Sequence, residues 1–218
     1  MARLYNHRAR VRIFMDFWNF ARDWRKLTRE LPDRNFNWKE FPSLVMEELD
    51  SIRPLRSVGK ELRAVKVYAS TKPPEYMFQD GIDRASIDDE ELRRKWLTDD
   101  LDQITSYTVD ISSQTDRTIR CDKCSHSNID YTEQGIDTKI AIDLVALASR
   151  NLYDIAVLVT DDTDLIPSIQ CVQNALDKQV VHLGFEQVTQ SGKRTKNLVR
   201  NEAWSHLFID SMLGSLEA

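Results

Sequence analysis

Four short segments of nearly continuous apolar residues set the strongest limit on how this chain can fold. They are VRIFMDF at 11–17, LRAVKVYAS at 62–70, IAVLVT at 155–160 and VVHLGF at 180–185. Strands this apolar occur where both faces of a sheet are covered. Because helical patterns separate them, the sequence predicts right-handed crossovers and an α/β fold with a mostly parallel sheet between layers of helices. In such a sheet, ligands bind beyond the carboxyl ends of the strands.

Five segments carry apolar residues at helical spacing. They cover residues 38–52, 88–104, 137–152, 164–178 and 197–213, with Pro42 moving the first helix start to 41–43. Residues 105–136 differ, because SYTVDISS and DRTIRC predict the two strands of an inserted β-hairpin and CDKCSHSNIDYTEQG predicts a polar, loop-like tip. No repeat or low-complexity linker separates this insertion, so we expect one domain over residues 1–218.

The length and composition of the chain limit the class of protein to which it can belong. A length of 218 residues suits one α/β domain. No apolar run approaches the ~20 residues that cross a bilayer, and the N-terminus lacks the apolar stretch of a secretory signal. We therefore expect a cytoplasmic protein with no membrane partner. The three cysteines, an odd number, argue against a disulfide framework.

The formal net charge of −5 argues, as a sum, against a nucleic-acid partner. The distribution of charge matters more, because basic residues cluster at 3–12, 22–29, 93–95 and 193–196. A positive groove can coexist with acids gathered elsewhere, although a solvated helix face is the commoner explanation of any single cluster. The preferred RNA-binding patch is Lys193, Arg194 and Lys196, in a polar loop that follows the fourth apolar segment.

Aspartates follow two predicted strands and begin one predicted helix. Asp16 ends the first strand, Asp162 and Asp164 follow the strand at 155–160, and Asp137 lies at a helix start. Converging carboxylates repel one another unless some are protonated or a hard cation lies between them. Mg²⁺ and Mn²⁺ prefer oxygen ligands, and such an ion can activate water and neutralise the leaving oxygen in phosphodiester hydrolysis.

Each aspartate also has a purely structural explanation. Asp137 and Asp164 are placed to cap a helix or offset its dipole, while Asp161 and Asp162 suit a turn. Considered together at the carboxyl ends of strands, the aspartates favour a metal site.

Three motifs, in this order along the chain, resemble the NYN domain, a branch of the PIN-like nuclease superfamily. The motifs are RIFMDFWNF, QGIDTKIAIDL and VLVTDDTDLIPSI, and the matching positions are Asp16 and Asn19, Asp137 and Asp143, and Asp162 and Asp164. Asp161 stands where that family more often has Gly. The closing NLVRNEAWSHLFIDSML resembles the final helix of the family, so the resemblance spans residues 11–213.

The resemblance implies a Rossmann-like three-layer α/β/α sandwich, a divalent metal and, in many members, ribonuclease activity. Asp16, Asp137, Asp162 and Asp164 would be the catalytic and metal-binding residues, with Mg²⁺ or Mn²⁺ as the cofactor. Asn19 would orient the substrate or a metal-bound water. Asp143 would support these ligands from outside the cluster or contact the helix end. Asp161 departs from the family pattern, and its extra carboxylate would support the cluster, supply another ligand or weaken the approach of phosphate.

A second motif, CDKCSH, has the C-x-x-C spacing of half a structural zinc site. Cys121, Cys124 and His126 are the candidate Zn²⁺ ligands, and a second subunit of a homo-oligomer would be one way to complete the site. The alternative is a redox-inert hairpin tip without metal. Cys171 lies in an apolar helical segment and is expected in the core.

Three aromatic residues, Trp18, Trp24 and Tyr68, lie close to the predicted site in the sequence. They are candidates for stacking on unpaired bases, although packing in the core is the commoner role of such residues.

The favoured function is that of a metal-dependent endoribonuclease acting on RNA. A non-catalytic RNA-binding or regulatory module on the same fold is the alternative, but a pure binder has no need for carboxylates that repel one another. A receiver-type signalling domain would need an acidic pair directly after the first strand, whereas here the pair falls late in the chain.

Overall fold

The computed structural model describes residues 8–73, 84–120, 124, 127–186 and 197–217. The strands are β1 (Ala9–Asp16), β2 (Lys60–Thr71), β3 (Tyr107–Ser113), β4 (Thr115–Arg120), β5 (Ser127–Thr132), β6 (Ile155–Val159), β7 (Gln179–Gly184) and β8 (Ser205–Phe208). Six of them form one sheet in the order β3-β2-β1-β6-β7-β8, and every neighbouring pair is parallel. The predicted α/β class with a parallel sheet is confirmed, and helices flank the sheet as in a PIN-like three-layer sandwich.

The helices lie between and around these strands. They are α1 (Phe17–Thr28), α2 (Pro32–Asn35), α3 (Phe41–Glu48), α4 (Arg84–Lys95), α5 (Ile136–Ser149), α6 (Ile166–Ala175), α7 (Leu198–Glu202) and α8 (Leu213–Leu216). Short 3₁₀ turns occupy Leu49–Ser51, Arg53–Leu55, Thr163–Leu165 and Ile209–Met212, and a π-helical turn follows α4 at Trp96–Leu101. Within the described residues, no helix is long and apolar enough to cross a membrane.

Alternate residues of β1 pack on opposite faces of the sheet. Ile13 and Met15 belong to a core that contains the aromatic side chains of Phe17, Phe20 and Trp24. Their neighbour Phe14 belongs to the core on the other face, together with residues of α5 and α6. Burial on both faces is the physical reason for the near-continuous apolar content of β1 and β6.

The predicted hairpin exists, but with different strands. SYTVDISS provides β3, an edge strand of the main sheet that pairs in parallel with β2. The hairpin is formed by β4 and β5, which pair antiparallel and flank the CDKCSH segment in the sequence. Every residue of β4 is exposed, so this strand buries no face of its own that a hydrophobic pattern could reveal.

The predicted closing helix at 197–213 is wrong. Helix α7 ends at Glu202, because Ala203 adopts extended backbone angles, and the chain then enters β8. Leu207 is buried and pairs in register with Leu183 of β7. The backbone groups along the edge of β7 therefore gain hydrogen-bond partners, and this tertiary pairing overrides the helical spacing of the apolar residues.

A group of charged residues joins three strands at the amino-terminal edge of the sheet. Asp154, just before β6, accepts hydrogen bonds from the side chain of Arg10 in β1 at 2.8 and 2.9 Å and from the Arg10 backbone N–H at 2.9 Å. Lys178, just before β7, lies 3.3 Å from the same carboxylate. Arg10 also donates to the carbonyl of Asn151. The bonds from Arg10 hold the pKa of the Asp154 carboxyl well below its usual range, which stabilises the ionised form in the folded protein.

Replacing Asp154 with Asn should lower the free energy of unfolding by about 1–3 kcal/mol at neutral pH, because Arg10 and Lys178 lose their charged acceptor. The pKa of this carboxyl is lower in the folded protein than in the unfolded chain, so its contribution is present at neutral pH and is lost on acidification. The difference between the two proteins, measured by urea unfolding, should therefore shrink below about pH 4. Asp177→Asn, an exposed position just before β7, is the control.

Candidate functional site

Asp16 is the last residue of β1 and is almost fully buried, at 3% exposure. Its carboxylate caps α1 by accepting a hydrogen bond from the backbone N–H of Asn19 at 3.0 Å. The pKa of Asp16 is raised to about 7, mainly by burial. The bond from Asn19 lowers this pKa, whereas the nearby carboxylates of Glu133, Asp137 and Asp162 raise it. The carboxyl edge of the sheet therefore holds several like charges close to a poorly solvated acid.

Asp137 lies in the first turn of α5 and faces the loop that follows β6. The preceding Gly135 has a φ of 79°, a left-handed conformation that favours glycine and starts the helix here. The pKa of Asp137 is raised by burial and by the carboxylates of Asp162 and Asp164. The start of α5 and the turn after β6 therefore bring their carboxylates close to one another.

Asp162 and Asp164 belong to the turn that leads from β6 to α6. The carboxylate of Asp162 caps the 3₁₀ helix at Thr163–Leu165 by accepting from the backbone N–H of Asp164 at 2.8 Å. Asp162 is half-buried and Asp164 is exposed. Asp162 is the cap here, whereas the sequence predicted a turn role for Asp162 and a cap at Asp164. The structural and the cluster explanations both apply to Asp162, because one oxygen caps the turn while its charge raises the pKa of Asp16 and Asp137.

Glu133 is an acid that sequence reasoning missed. It follows β5 and accepts a hydrogen bond from the hydroxyl of Ser70, near the carboxyl end of β2. Burial raises the pKa of Glu133 despite that bond, and the charge of Asp137 adds to the effect. The one signal in the sequence was its position four residues before Asp137, in a segment interpreted as a polar loop.

The acidic edge is defined by Asp16, Glu133, Asp137, Asp162 and Asp164. Its donors are all carboxylate oxygens, the type that hard cations such as Mg²⁺ and Mn²⁺ prefer, so the donor chemistry fits the metal that the fold implies. Among the side chains that the structure describes, no three acids, histidines or cysteines are close enough to hold one ion.

Asp161 has a different environment from its two neighbours. It accepts hydrogen bonds from Nε2 of His182 at 2.8 Å and from the side-chain amide of Asn197 at 2.6 Å. Burial raises the pKa of Asp161, but the hydrogen bond and charge interaction with His182, the bond from Asn197 and the charge of Arg22 together hold the pKa below its usual value. Gly184 leaves room for the His182 ring, because an added Cβ would lie 2.5 Å from Cε1. Asp161 thus connects the β6 turn to β7 and to the start of α7.

Asn19 connects the same turn to α1. Its side-chain oxygen accepts a hydrogen bond from the backbone N–H of Asp161 at 3.2 Å and another from Arg22 at 3.1 Å. The backbone of Asp161 is held by Asn19 and its side chain by His182 and Asn197, so the start of the segment that carries Asp162 and Asp164 is fixed.

Asp143 lies further along α5. Its carboxylate accepts hydrogen bonds from Lys66 at 2.5 Å and from the hydroxyl of Tyr68 at 2.7 Å. Lys66 also pairs with Asp110 of β3, at 3.4 Å. The observed contacts of Asp143 join α5 to β2.

The aromatic candidates differ in their exposure. Trp24 and Tyr68 are completely buried and pack in the two cores. Trp18 is half-buried, and its indole N–H donates to the carbonyl of Ser70 at 2.8 Å. Arg93 lies over its ring, 5.0 Å from the ring centroid.

The cysteine and basic-loop predictions are only partly within the described residues. Cys124 is an exposed free thiol, while Cys121 and His126 lie outside the residues that the structure describes. Lys193, Arg194 and Lys196 lie outside them as well. The expectation that Cys171 is a core residue is wrong, because it lies on the exposed side of α6.

The parallel sheet and the acids at its carboxyl edge are typical of PIN-like nucleases. The family model of the NYN domain matches residues 10–210, so the chain belongs to the NYN domain family. Among solved structures, the chain is similar to a protein of unknown function from Vibrio parahaemolyticus RIMD 2210633, VPA0982, with a TM-score of 0.54 and 17% identity over 97% of this chain and 98% of that one. This likeness supports the fold alone. No curated protein matches the chain.

Replacing Asp161 with Ala should lower the free energy of unfolding by about 1–3 kcal/mol, because it removes the acceptor shared by His182 and Asn197. Asp164→Ala, at an exposed position in the same turn, should change stability by about 0.5 kcal/mol or less. Urea unfolding of both variants measures the difference. Equal effects would contradict the structural role assigned to Asp161.

Proposed function

We propose that this protein is a metal-dependent endoribonuclease that hydrolyses RNA phosphodiester bonds at the acidic edge. The observation that carries the proposal is the convergence of carboxylates from three separate segments, namely Asp16, Glu133 with Asp137, and Asp162 with Asp164. Such a concentration of like charge opposes folding unless a cation or protons neutralise it. Membership of the NYN domain family, whose members are generally ribonucleases, supports RNA as the substrate.

In this proposal Asp16, Asp137, Asp162 and Asp164 hold one or more Mg²⁺ or Mn²⁺ ions. A bound ion of this kind supplies charge neutralisation and an activated water for attack on phosphorus. The side chains have separate tasks. Asp16 is fixed by its cap on α1, and Asp162 by its cap on the following turn. These caps restrict the directions of two carboxylates before an ion binds.

Asn19 and Glu133 have supporting tasks in the proposed site. Asn19 holds the backbone of the β6 turn through the N–H of Asp161. Glu133, held by Ser70, adds a fifth carboxylate beside Asp16 and Asp137. We propose that it orients a ligand or a water at the edge, which is a role that sequence reasoning did not give it.

Asp16→Asn and Asp162→Asn should each lower the rate of RNA cleavage at least ~100-fold, because each removes one charge from the ion site. Both variants keep a side-chain oxygen for the cap, so the helix starts are preserved. The measurement uses a circular single-stranded RNA, which only an endonuclease can open, in Mg²⁺, in Mn²⁺ and in EDTA. Asp177→Asn, an exposed change of the same charge, is the control.

Cleavage that is equal in wild type, Asp16→Asn and Asp162→Asn would show that another site is responsible. RNA binding without cleavage in either metal would instead identify a non-catalytic RNA-binding or regulatory module on the same fold.

Metal binding should also raise the stability of the protein in the absence of RNA. At saturating Mn²⁺, about 100 times its dissociation constant, the wild type should gain about 2.7 kcal/mol of stability and melt several degrees higher. Asp137→Asn should lose most of this shift, whereas Asp177→Asn should keep it. A shift of equal size in all three proteins would place the ion elsewhere.

A further inference from the structure

A shallow basic groove lies along α1, beside the acidic edge. We call it the α1 groove, and it is lined by Trp18, Arg22, Arg25, Lys26, Arg29 and Leu31. Arg25, Lys26 and Arg29 follow Arg22 by three, four and seven residues, so the four cations share one face of the helix. From Arg22 to Arg29 this face extends about 10 Å. Among the described residues that line the groove, none is acidic.

One end of the groove adjoins residues that contact the acidic edge. Arg22 donates to the side-chain oxygen of Asn19 at 3.1 Å, and the same oxygen accepts from the backbone N–H of Asp161. On the other side, the indole N–H of Trp18 bonds to the carbonyl of Ser70, whose hydroxyl bonds to Glu133. A chain that follows the groove towards Asn19 therefore reaches the proposed site of cleavage.

Part of the positive charge in the groove is unpaired. The buried carboxylate of Asp23 lies 2.6 Å from Lys26 and 3.4 Å from Arg22, and partly balances those two cations. The side chains of Arg25 and Arg29 are exposed and make no hydrogen bond or ion pair with any other residue that the structure describes. These two guanidinium groups keep their donors available for an anionic partner.

We propose that the α1 groove binds the sugar–phosphate backbone of single-stranded RNA and leads it to the acidic edge. The choice of RNA rests on the proposed function. The choice of a single strand rests on the arrangement of the cations, which form one row on one helix and so match one row of phosphates, whereas a duplex presents two. Contacts of this kind position the substrate without reading its sequence.

The backbone of Arg29 provides a sharp test. Arg29 ends α1 with a φ of 70°, the left-handed conformation that glycine adopts most easily. Arg29→Gly therefore removes a cation from the groove at a position where glycine relieves backbone strain rather than creating it. Combined with Arg25→Gln, it removes both unpaired guanidinium groups while the fold is retained.

The experiment measures binding and cleavage separately. Binding of a short fluorescent single-stranded RNA of mixed sequence is followed by anisotropy in the Asp162→Asn background, and cleavage of the same RNA is followed with Asp162 intact. Adding Arg25→Gln and Arg29→Gly should weaken binding about tenfold and reduce the slope of log affinity against log salt by roughly 0.7 for each lost contact. The matched control is Arg53→Gln with Arg150→Gln, two exposed cations that do not line the groove.

The outcomes separate this inference from the proposed function. If the wild type cleaves RNA and the groove variant binds and cleaves equally well, the groove inference is overturned and the nuclease proposal stands. If no protein cleaves but the groove variant alone loses affinity, the groove inference stands and the nuclease proposal fails. Tighter binding of a duplex than of the single strand, or an equal loss in the control variant, would overturn the groove inference.

Discussion

All six strands of the main sheet run in the same direction, so the loops that follow them open at one edge. This constraint brings Asp16, Ser70 and the Asp161–Asp164 turn together, although they lie far apart in the sequence. The gathering of carboxylates opposes folding, and the pKa of Asp16, raised by burial and by its neighbours to about 7, reflects that opposition. A cluster of acids with raised pKa values in a cleft is consistent with the ligand-binding role proposed for the acidic edge.

Two of the clustered carboxylates accept hydrogen bonds at helix starts. The backbone N–H of Asn19 donates to Asp16, and that of Asp164 donates to Asp162, so each carboxylate satisfies a donor that would otherwise lack a partner. The bond to Asp16 lowers its pKa, in opposition to burial. Capping and ligand binding are therefore compatible roles for one residue, because capping uses one oxygen and also fixes the direction of the side chain.

The sequence was most informative where burial was most complete. Strands β1, β2, β6 and β7 were recognised from their apolar content. Asp16 and Asp162 became candidates from their positions at strand ends and Asp137 from its position at a helix start, and the structure places all three at the acidic edge. The edge strands β3 and β8 were not placed in the sheet, because β3 is mostly half-buried and β8 has one buried residue. Glu133 was missed for a related reason. It reaches the acidic edge only because β5 returns the chain to Ser70, and that depends on a pairing of two polar strands that leaves no hydrophobic pattern.

The pKa of an aspartate is shifted in opposite directions at the two edges of the sheet. At the amino-terminal edge, Asp154 lies among cations, and its pKa is lowered by Arg10. At the carboxyl edge, Asp16 lies among anions, and its pKa is raised by burial and then by those anions. Both aspartates adjoin strands that pair with each other in the middle of the sheet. The attraction between Arg10 and Asp154 thus stabilises β1 and β6 at their amino-terminal ends. The carboxyl ends of the same two strands carry the acids that repel one another.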